Sequence, residues 1–364
     1  MKPYIAEQLP LQNLDWVRFV SLIGNANAEL ARYDGILQSI LNPHILLSPL
    51  TTKEAVLSSR IEGTQATLEE VLEFEASQKT HITSEREKDI QEIINYRKSI
   101  RFAVDWLEKK PITLNLIKEI HGILLDSVRG RNKSRGAFRK VQNWIGRPGT
   151  PLEQADYVPP EPMHLTENLS NLEKYIHYDE KDRLVQLAVI HAQFEIIHPF
   201  LDGNGRLGRI LVPLFLYEKR LLGSPMFYIS EYLEANRDEY YDRLNIITKD
   251  KKWEEWIEFF LKATIEQSKK NSQKAKAILE LYETKKERIQ KVTRSQFVIK
   301  VLDTLFAKPI FSSTDFIRDS SIPKASAMRI LTSLERDNII TVLRKGSGRK
   351  ANIFIFNKLI EAIG

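Results

Sequence analysis

His198-Pro-Phe-Leu-Asp-Gly-Asn-Gly-Arg-Leu-Gly-Arg209 gathers a proton acceptor, a carboxylate, three glycines, an amide and two guanidiniums into twelve residues. The apolar stretch from Leu184 to Ile197 predicts a buried helix that delivers His198 to a turn. Apolar residues resume from Ile210 to Tyr217, which places the start of a second helix near Asn204. Gly203 and Gly205 let consecutive backbone N–H groups turn towards one point at that start. Such a nest, added to the positive end of a helix dipole, favours a phosphate. Arg206 and Arg209, three apart, share a face and reach the same anion. Asp202 reads in two ways, as ligand to a divalent cation shared with phosphates or as a helix N-cap. His198 is the natural general base for a hydroxyl attacking phosphorus. The plainer reading, a histidine capping a helix before proline, leaves the glycines, Asp202 and both arginines without a purpose.

The pattern His198-Pro-Phe-x-Asp-Gly-Asn-Gly-Arg-x-x-Arg209 resembles the signature of the Fic family of nucleotidyl transferases, with every position present. The resemblance implies transfer of AMP from ATP to a protein hydroxyl, with release of pyrophosphate. It makes His198 the base for a Ser, Thr or Tyr hydroxyl and Asp202 the holder of Mg²⁺. It places Gly203, Asn204 and Gly205 in the anion hole, Arg206 on the triphosphate and Arg209 at its γ end. The likeness runs from about residue 45 to 245. Members of the family also move UMP, phosphate or phosphocholine, and the motif does not separate these.

Ser58-Ser-Arg-Ile-Glu62-Gly63 is similar to the inhibitory-helix pattern of a subgroup of that family, here N-terminal to the core. Residues 51–62 read as a helix stopped by Gly63, and Thr67-x-x-Glu70 opens another with a capping box. Glu62 then sits at a helix C-terminus, where the dipole disfavours its charge. It either merely ends the helix or meets a cation there. The resemblance supplies Arg209 as that cation, so that pairing keeps Arg209 from the γ-phosphate. It also admits the reverse reaction, with Glu62 positioning a water to remove AMP from a modified target.

The 364 residues suffice for two or three domains and a sizeable core. With no cysteine, disulfides and thiolate chemistry are excluded. The opening Met-Lys-Pro-Tyr-Ile-Ala-Glu lacks a signal-peptide h-region, and no apolar run reaches spanning length, so the expectation is a cytoplasmic protein without membrane contact. Residues 269–364 hold 20 Lys/Arg against 9 Asp/Glu, a net +11, while the remainder carries 34 against 39, a net −5. The basic character therefore belongs to the C-terminal quarter.

The expected architecture is mainly α, a Fic helical core with a β-hairpin flap plus a C-terminal winged-helix domain. Residues 1–110 form the N-terminal helical region with the inhibitory helix (51–63), 111–268 the catalytic core, 269–291 a helical linker and 292–364 the winged-helix-like domain. His121 reads as a packing or capping group, and His191 as a core residue or a partner for the preceding loop. Phe138 to Ile145 is expected to pair across Gly146-Arg-Pro-Gly149 as the hairpin. In the family such a flap holds the target protein as an added strand, which places the partner along about residues 138–150. Ile229 to Leu244 reads as one aromatic-rich helix. The family's adenine pocket falls there, making Asn236 and Tyr240 the groups to bind the base. Trp253 and Trp256 close the core.

The C-terminal quarter reads as three helices, Gln296–Phe306, Ser313–Arg318 and Pro323–Arg336, followed by strands Ile339–Leu343 and Asn352–Phe356 around a basic, Gly-rich tip. This resembles a winged helix. Lys324 and Arg329 on the third helix suit a groove, and Lys345, Arg349 and Lys350 suit phosphates at the wing, so DNA is an expected partner. A protein-interaction module with a basic solvated face is the alternative. A homodimer is implied by the subgroup alone. The competing function is a DNA-binding regulator whose core senses a nucleotide without much turnover.

Overall fold

Sixteen α-helices, three short 3-10 helices and one three-stranded sheet make up the regular structure of the described residues, which in this computed structural model are 2–77, 83–126, 134–146, 149, 151–347 and 350–364. Helix α1 (Val20–Ser39) buries Ala26, Leu30, Tyr33 and Leu37 on one face and lies along the last long helix of the chain. After α2 (Pro43–Leu46) comes α3 (Ser48–Ile61), which ends where Gly63 adopts φ +100°, a conformation open to glycine. The expected capping box then opens α4 (Leu68–Ser77). Thr67 N donates to Glu70 Oε2 at 2.8 Å, and Glu70 N donates to Thr67 Oγ1 at 3.2 Å. Helices α5 (Ser84–Leu107) and α6 (Leu114–Leu124) pack on each other, each capped by a threonine, Thr83 and Thr113.

Helix α7 (Leu165–Ile176) leads to α8 (Arg183–Ile197), whose Asp182 cap accepts from Leu184 N at 2.9 Å and Val185 N at 3.0 Å. Helix α8 is buried on almost every side, so its sequence is apolar without a clean period. Helix α9 (Asn204–Glu218) packs against it, starting at the expected residue. The single helix expected over 229–244 is two, α10 (Ser230–Ala235) and α11 (Arg237–Asp250). They meet at Asn236, whose φ −118°, ψ 38° leaves the helical region.

Helix α12 (Trp253–Thr293) is continuous for 41 residues, about 60 Å at the helical rise. The expected boundary between core and linker at 268/269 therefore falls inside one helix. The linker is not a free spacer, because Ala275, Ile278 and Ile289 are buried and the same apolar cluster extends from the N-terminal helices into the C-terminal quarter.

The C-terminal quarter runs α13 (Val298–Ala307), β1 (Ile310–Ser312), α14 (Ser313–Ser320), α15 (Lys324–Arg336), β2 (Thr341–Arg344), β3 (Ile353–Ile355) and α16 (Asn357–Ile363). The strands are antiparallel in the order β1-β3-β2, with Phe311 opposite Phe354 and a register shift between Val342 and Arg344. The three helices and the β2–β3 pair follow the expected order. β1 was not legible because all three of its residues are buried, which removes the period-2 signal. This quarter does not stand apart. α13 packs on α2 and α3, α16 on α3, and β1 on α4. Lys53 Nζ of α3 donates to the Ile363 carbonyl at 3.1 Å, and Arg344 of β2 pairs with Glu73 of α4.

Candidate active site

Helix α8 ends at His198, which takes φ 48°, ψ 60° as the helix C-cap, and the chain turns through Gly203 at φ 77° into α9. A non-glycine residue in the left-handed region is held there by its surroundings. Asn204 supplies part of that hold. Its Oδ1 accepts from Phe200 N and its Nδ2 donates to the Phe200 carbonyl, both at 2.9 Å. The side chain of Asn204 thus fixes the loop and its backbone remains at the helix start. Arg139 supplies more, although the sequence reading did not single it out. Its Nε donates to the His198 carbonyl at 3.0 Å, its Nη2 reaches the Ile197 and Pro160 carbonyls, and its backbone N donates to Pro199. Burial lowers the Arg139 guanidinium to about 10, still charged at neutral pH. It acts as a cation at the carbonyl end of α8.

Three histidines near the site divide their roles by tautomer. His121 stacks on Phe200 with centroids 3.7 Å apart. It accepts from Gly136 N at Nδ1 (2.9 Å), which leaves Nε2 to donate to the Asp202 carbonyl at 3.1 Å. His191 meets the Gly208 carbonyl through Nδ1 at 3.2 Å, so Nε2 accepts from the Tyr240 hydroxyl at 3.0 Å. Burial pushes these rings down to about 4 and about 3, so both are neutral supports. Among the described residues His198 meets only a backbone carbonyl, that of Glu195, at 3.3 Å through Nδ1. Its Nε2 lone pair is therefore free for a proton. Burial lowers this ring to about 4 as well, leaving it unprotonated at neutral pH.

Both arginines of the motif are buried and turned towards carboxylates. Arg206 Nη1 donates to Glu92 Oε2 of α5 at 2.7 Å and Nη2 reaches Asp202 Oδ1 at 3.5 Å, while Nε is buried with no partner among the described residues. Arg209 Nε donates to Ser58 Oγ at 2.8 Å, and Nη2 donates to the Ser58 carbonyl at 2.8 Å and to Glu62 Oε1 at 2.7 Å. The structure thus brings Ser58, Glu62 and Arg209 together. Burial pushes Glu62 upward, but the Arg209 charge and hydrogen bond outweigh it and hold the carboxyl below its ordinary value. Gly205 makes this contact possible, since a Cβ there would lie 2.2 Å from Glu62 Oε1. Asp202 uses Oδ1 for Gly203 N at 2.6 Å, and its side chain remains partly exposed. The N-cap itself is Gly203, so capping does not consume the whole carboxylate.

The two residues expected to bind the base lie at the junction of α10 and α11 and on α11. Tyr240 is 1% exposed, packed against Trp256, Phe259 and His191, so its ring supports α8 and does not line an open surface. Asn236 Nδ2 donates to the Tyr232 carbonyl at 2.8 Å. Tyr240→Phe strips a buried His191 nitrogen of its donor. A loss of about 1–2 kcal/mol is expected, seen as a melting temperature lower by about 2–4 °C; an unchanged melting curve would show that this bond does not matter.

The expected hairpin is not formed by the described part of 138–150. Ile145 instead makes an isolated bridge with Tyr157, Ile145 N donating to the Tyr157 carbonyl at 2.8 Å. Pro151, Pro159 and Pro160 flank that partner and lack the N–H groups a longer ladder needs; residues 147, 148 and 150 lie outside the described set. Val141, Trp144 and Ile145 are exposed beside the bridge. In the C-terminal quarter Lys324, Arg329, Lys345 and Lys350 are exposed, with Arg329 Nη2 3.4 Å from Ser326 Oγ; Arg349 lies outside the described residues.

A family model described as "Fic/DOC family N-terminal" matches residues 20–105, and one described as "Fic/DOC family" matches residues 111–216. Together they take in more than half of the chain. The chain belongs to the Fic/DOC family. Among curated relatives, protein adenylyltransferase Fic of Drosophila grimshawi is 30% identical over 146 residues, 38% of this chain and 26% of that protein. A probable protein adenylyltransferase of Aquifex aeolicus is 34% identical over 85 residues, 23% of this chain and 27% of that protein. The chain thus spans about a quarter of the length of these relatives. Two solved structures share the Fic fold. A Fic family protein from Desulfovibrio desulfuricans aligns with a TM-score of 0.60 at 20% identity over 96% of this chain and 98% of that one. Fic-1 of C. elegans aligns at 0.52 and 19% identity over 72% of each.

Proposed function

We propose that the chain transfers AMP from ATP to a Ser, Thr or Tyr hydroxyl of a protein, itself included, and that Glu62 restrains this activity. The observation that carries the reading is the convergence at the start of α9. A histidine with a free Nε2, a buried Arg206 whose Nε lacks a partner, and Arg209 held by Glu62 meet there. His198 Nε2 takes the proton of the attacking hydroxyl, the oxygen–phosphorus bond forms at the α-phosphate, and the bond to the β-phosphate breaks to release pyrophosphate. Arg206, fixed by Glu92, offers its unused N–H to the triphosphate. Among the described residues no three His, Asp or Glu side chains form a metal cage. A Mg²⁺ that arrives with the phosphates needs only one or two carboxylate ligands, and the partly exposed Asp202 fits that demand. When bound, the ion would neutralise charge developing on the phosphates.

The exposed Val141, Trp144 and Ile145, beside a bridge that ends after one residue pair, suit an extended target segment added as a strand. The same Glu62 carboxylate, poised over Gly205, also suits a water, which makes removal of AMP a second direction for this site. The helix–strand–helix–helix–strand–strand order of residues 298–355, with Lys324, Arg329, Lys345 and Lys350 exposed, supports a winged helix that takes DNA. Binding to duplex DNA that weakens steeply with salt and is lost in Lys345→Glu/Lys350→Glu is the expected result. No helix of the described residues is long and apolar enough to cross a membrane, and the cytoplasm remains the proposed address.

Incubation of purified protein with α-labelled ATP and Mg²⁺ tests the main reading. Label on the protein, absent in His198→Ala, supports the enzyme. No label even in Glu62→Gly would leave a nucleotide-sensing, DNA-binding regulator as the better account.

A further inference from the structure

Gly205 and Gly208 lie three apart on α9, and each leaves room for a carboxyl group. A Cβ at 205 would sit 2.2 Å from Glu62 Oε1 and 3.0 Å from Arg209 Nη1, and a Cβ at 208 would sit 2.2 Å from Glu195 Oε1. Glu62 is paired. Glu195 is not: its Oε1 is buried without a hydrogen-bond partner among the described residues. The charged and titratable groups that face it are Arg209 on α9, Glu62 after α3, and Tyr240 and Tyr241 on α11. Both tyrosines are pushed above their ordinary values by burial and stay neutral. Both carboxyl groups lie against the glycines of α9 and within the electrostatic reach of Arg209, and only Glu62 holds its guanidinium.

We propose that Glu195 is the positioning residue of Arg209 in the active state, taking over the guanidinium when Glu62 withdraws and keeping it aimed at the γ-phosphate. This rests on the nucleotidyl-transfer reading above. A buried guanidinium left without an anion is unfavourable, and the γ-phosphate supplies one only while ATP is bound. Arg209 has five N–H donors, so Ser58, Glu195 and a phosphate can share it. Burial raises Glu195 to about 8, Arg209 works against that rise, and the Glu62 charge adds to it. Departure of Glu62 removes a like charge and leaves the field of Arg209 undivided. Both changes favour the carboxylate, so the handover releases a proton from Glu195.

The test compares Glu62→Gly, Glu62→Gly/Glu195→Gln and Glu62→Gly/Glu195→Ala by initial rates of self-labelling against ATP concentration, between about pH 5 and 9. Glu62→Gly is expected to show a KM for ATP that falls with rising pH through a group titrating below 8. His198, at about 4, does not account for such a limb. Glu195→Gln mimics the protonated carboxyl, so it should flatten the limb and hold KM near its acid-side value at every pH. Glu195→Ala should raise KM about tenfold, as loss of a charge-assisted bond does, and change kcat less. An unaltered pH limb in the Gln variant, or an unaltered KM in the Ala variant, overturns the inference alone. A Glu62→Gly protein that never labels removes the nucleotidyl-transfer reading and this inference with it. Melting curves of the Gln variant guard against loss of fold.

Discussion

Glu62→Gly is expected to raise self-labelling from α-labelled ATP by about two orders of magnitude. Arg209 is 1% exposed, and Glu62 is its only carboxylate partner at hydrogen-bond distance among the described residues. Arg209 is buried but the Glu62 side chain is 33% exposed, so moving the carboxylate away costs at most the about 3–5 kcal/mol of a fully buried pair. Part of that cost is offset when the γ-phosphate replaces the carboxylate, since both are anions for the same fork. A residual penalty of about 2.7 kcal/mol corresponds to a competent population of about 1%, and the apparent affinity for ATP falls by that fraction. Removing the carboxylate lifts the restriction while Ser58 still holds Arg209 Nε. Glycine suits position 62, a helix C-cap, with little backbone cost. The change should appear chiefly in KM for ATP; a change below about twofold would sink the autoinhibition account.

In that relieved background, His198→Asn is expected to lower the transfer rate by about 10²–10⁴, the usual worth of a positioned general base. Asparagine is chosen because His198 sits at φ 48°, a region that Asn enters more readily than Ala. It keeps the turn while removing the nitrogen. The Nδ1 contact with the Glu195 carbonyl fixes the proton on the far side of the ring, so Nε2 is the atom lost. Because burial holds the ring at about 4, the wild-type base is unprotonated across the neutral range, and its acid limb should lie near pH 4 and not near 6.5. A variant that folds, melts normally and still transfers AMP at the parental rate would show that His198 is not the base.

Local chemistry explains which parts of this fold were readable. The capping box at Thr67 and Glu70, the stop at Gly63 and the start of α9 after Gly203 depend on residues within four positions of each other. Such features are written contiguously in the chain. The pairing of Glu62 with Arg209 spans 147 residues, and only its family resemblance made it visible in advance. Arg139, Glu92 and Glu195 had no such pointer. Each is an ordinary charged residue until the fold carries it to the His198 carbonyl, to Arg206 or to the face of Gly208. Tyr240 is buried against His191 and Trp256, and an aromatic on a helix facing the core looks the same in sequence as one lining a pocket. Among the described residues of the flap region one bridge, Ile145 with Tyr157, stands beside prolines that lack N–H groups. The helical stretch expected as a linker continues α12, whose polar residues alternate with the buried Ala275, Ile278 and Ile289.

The central claim is that the start of α9 is an AMP-transfer site restrained by Glu62. Parallel labelling of Glu62→Gly with ATP carrying the label at the α or at the γ position tests it most directly. The account predicts protein-bound label from α-labelled ATP alone, with labelled pyrophosphate released from the γ-labelled form. Label retained from the γ position, or none from either, would contradict it.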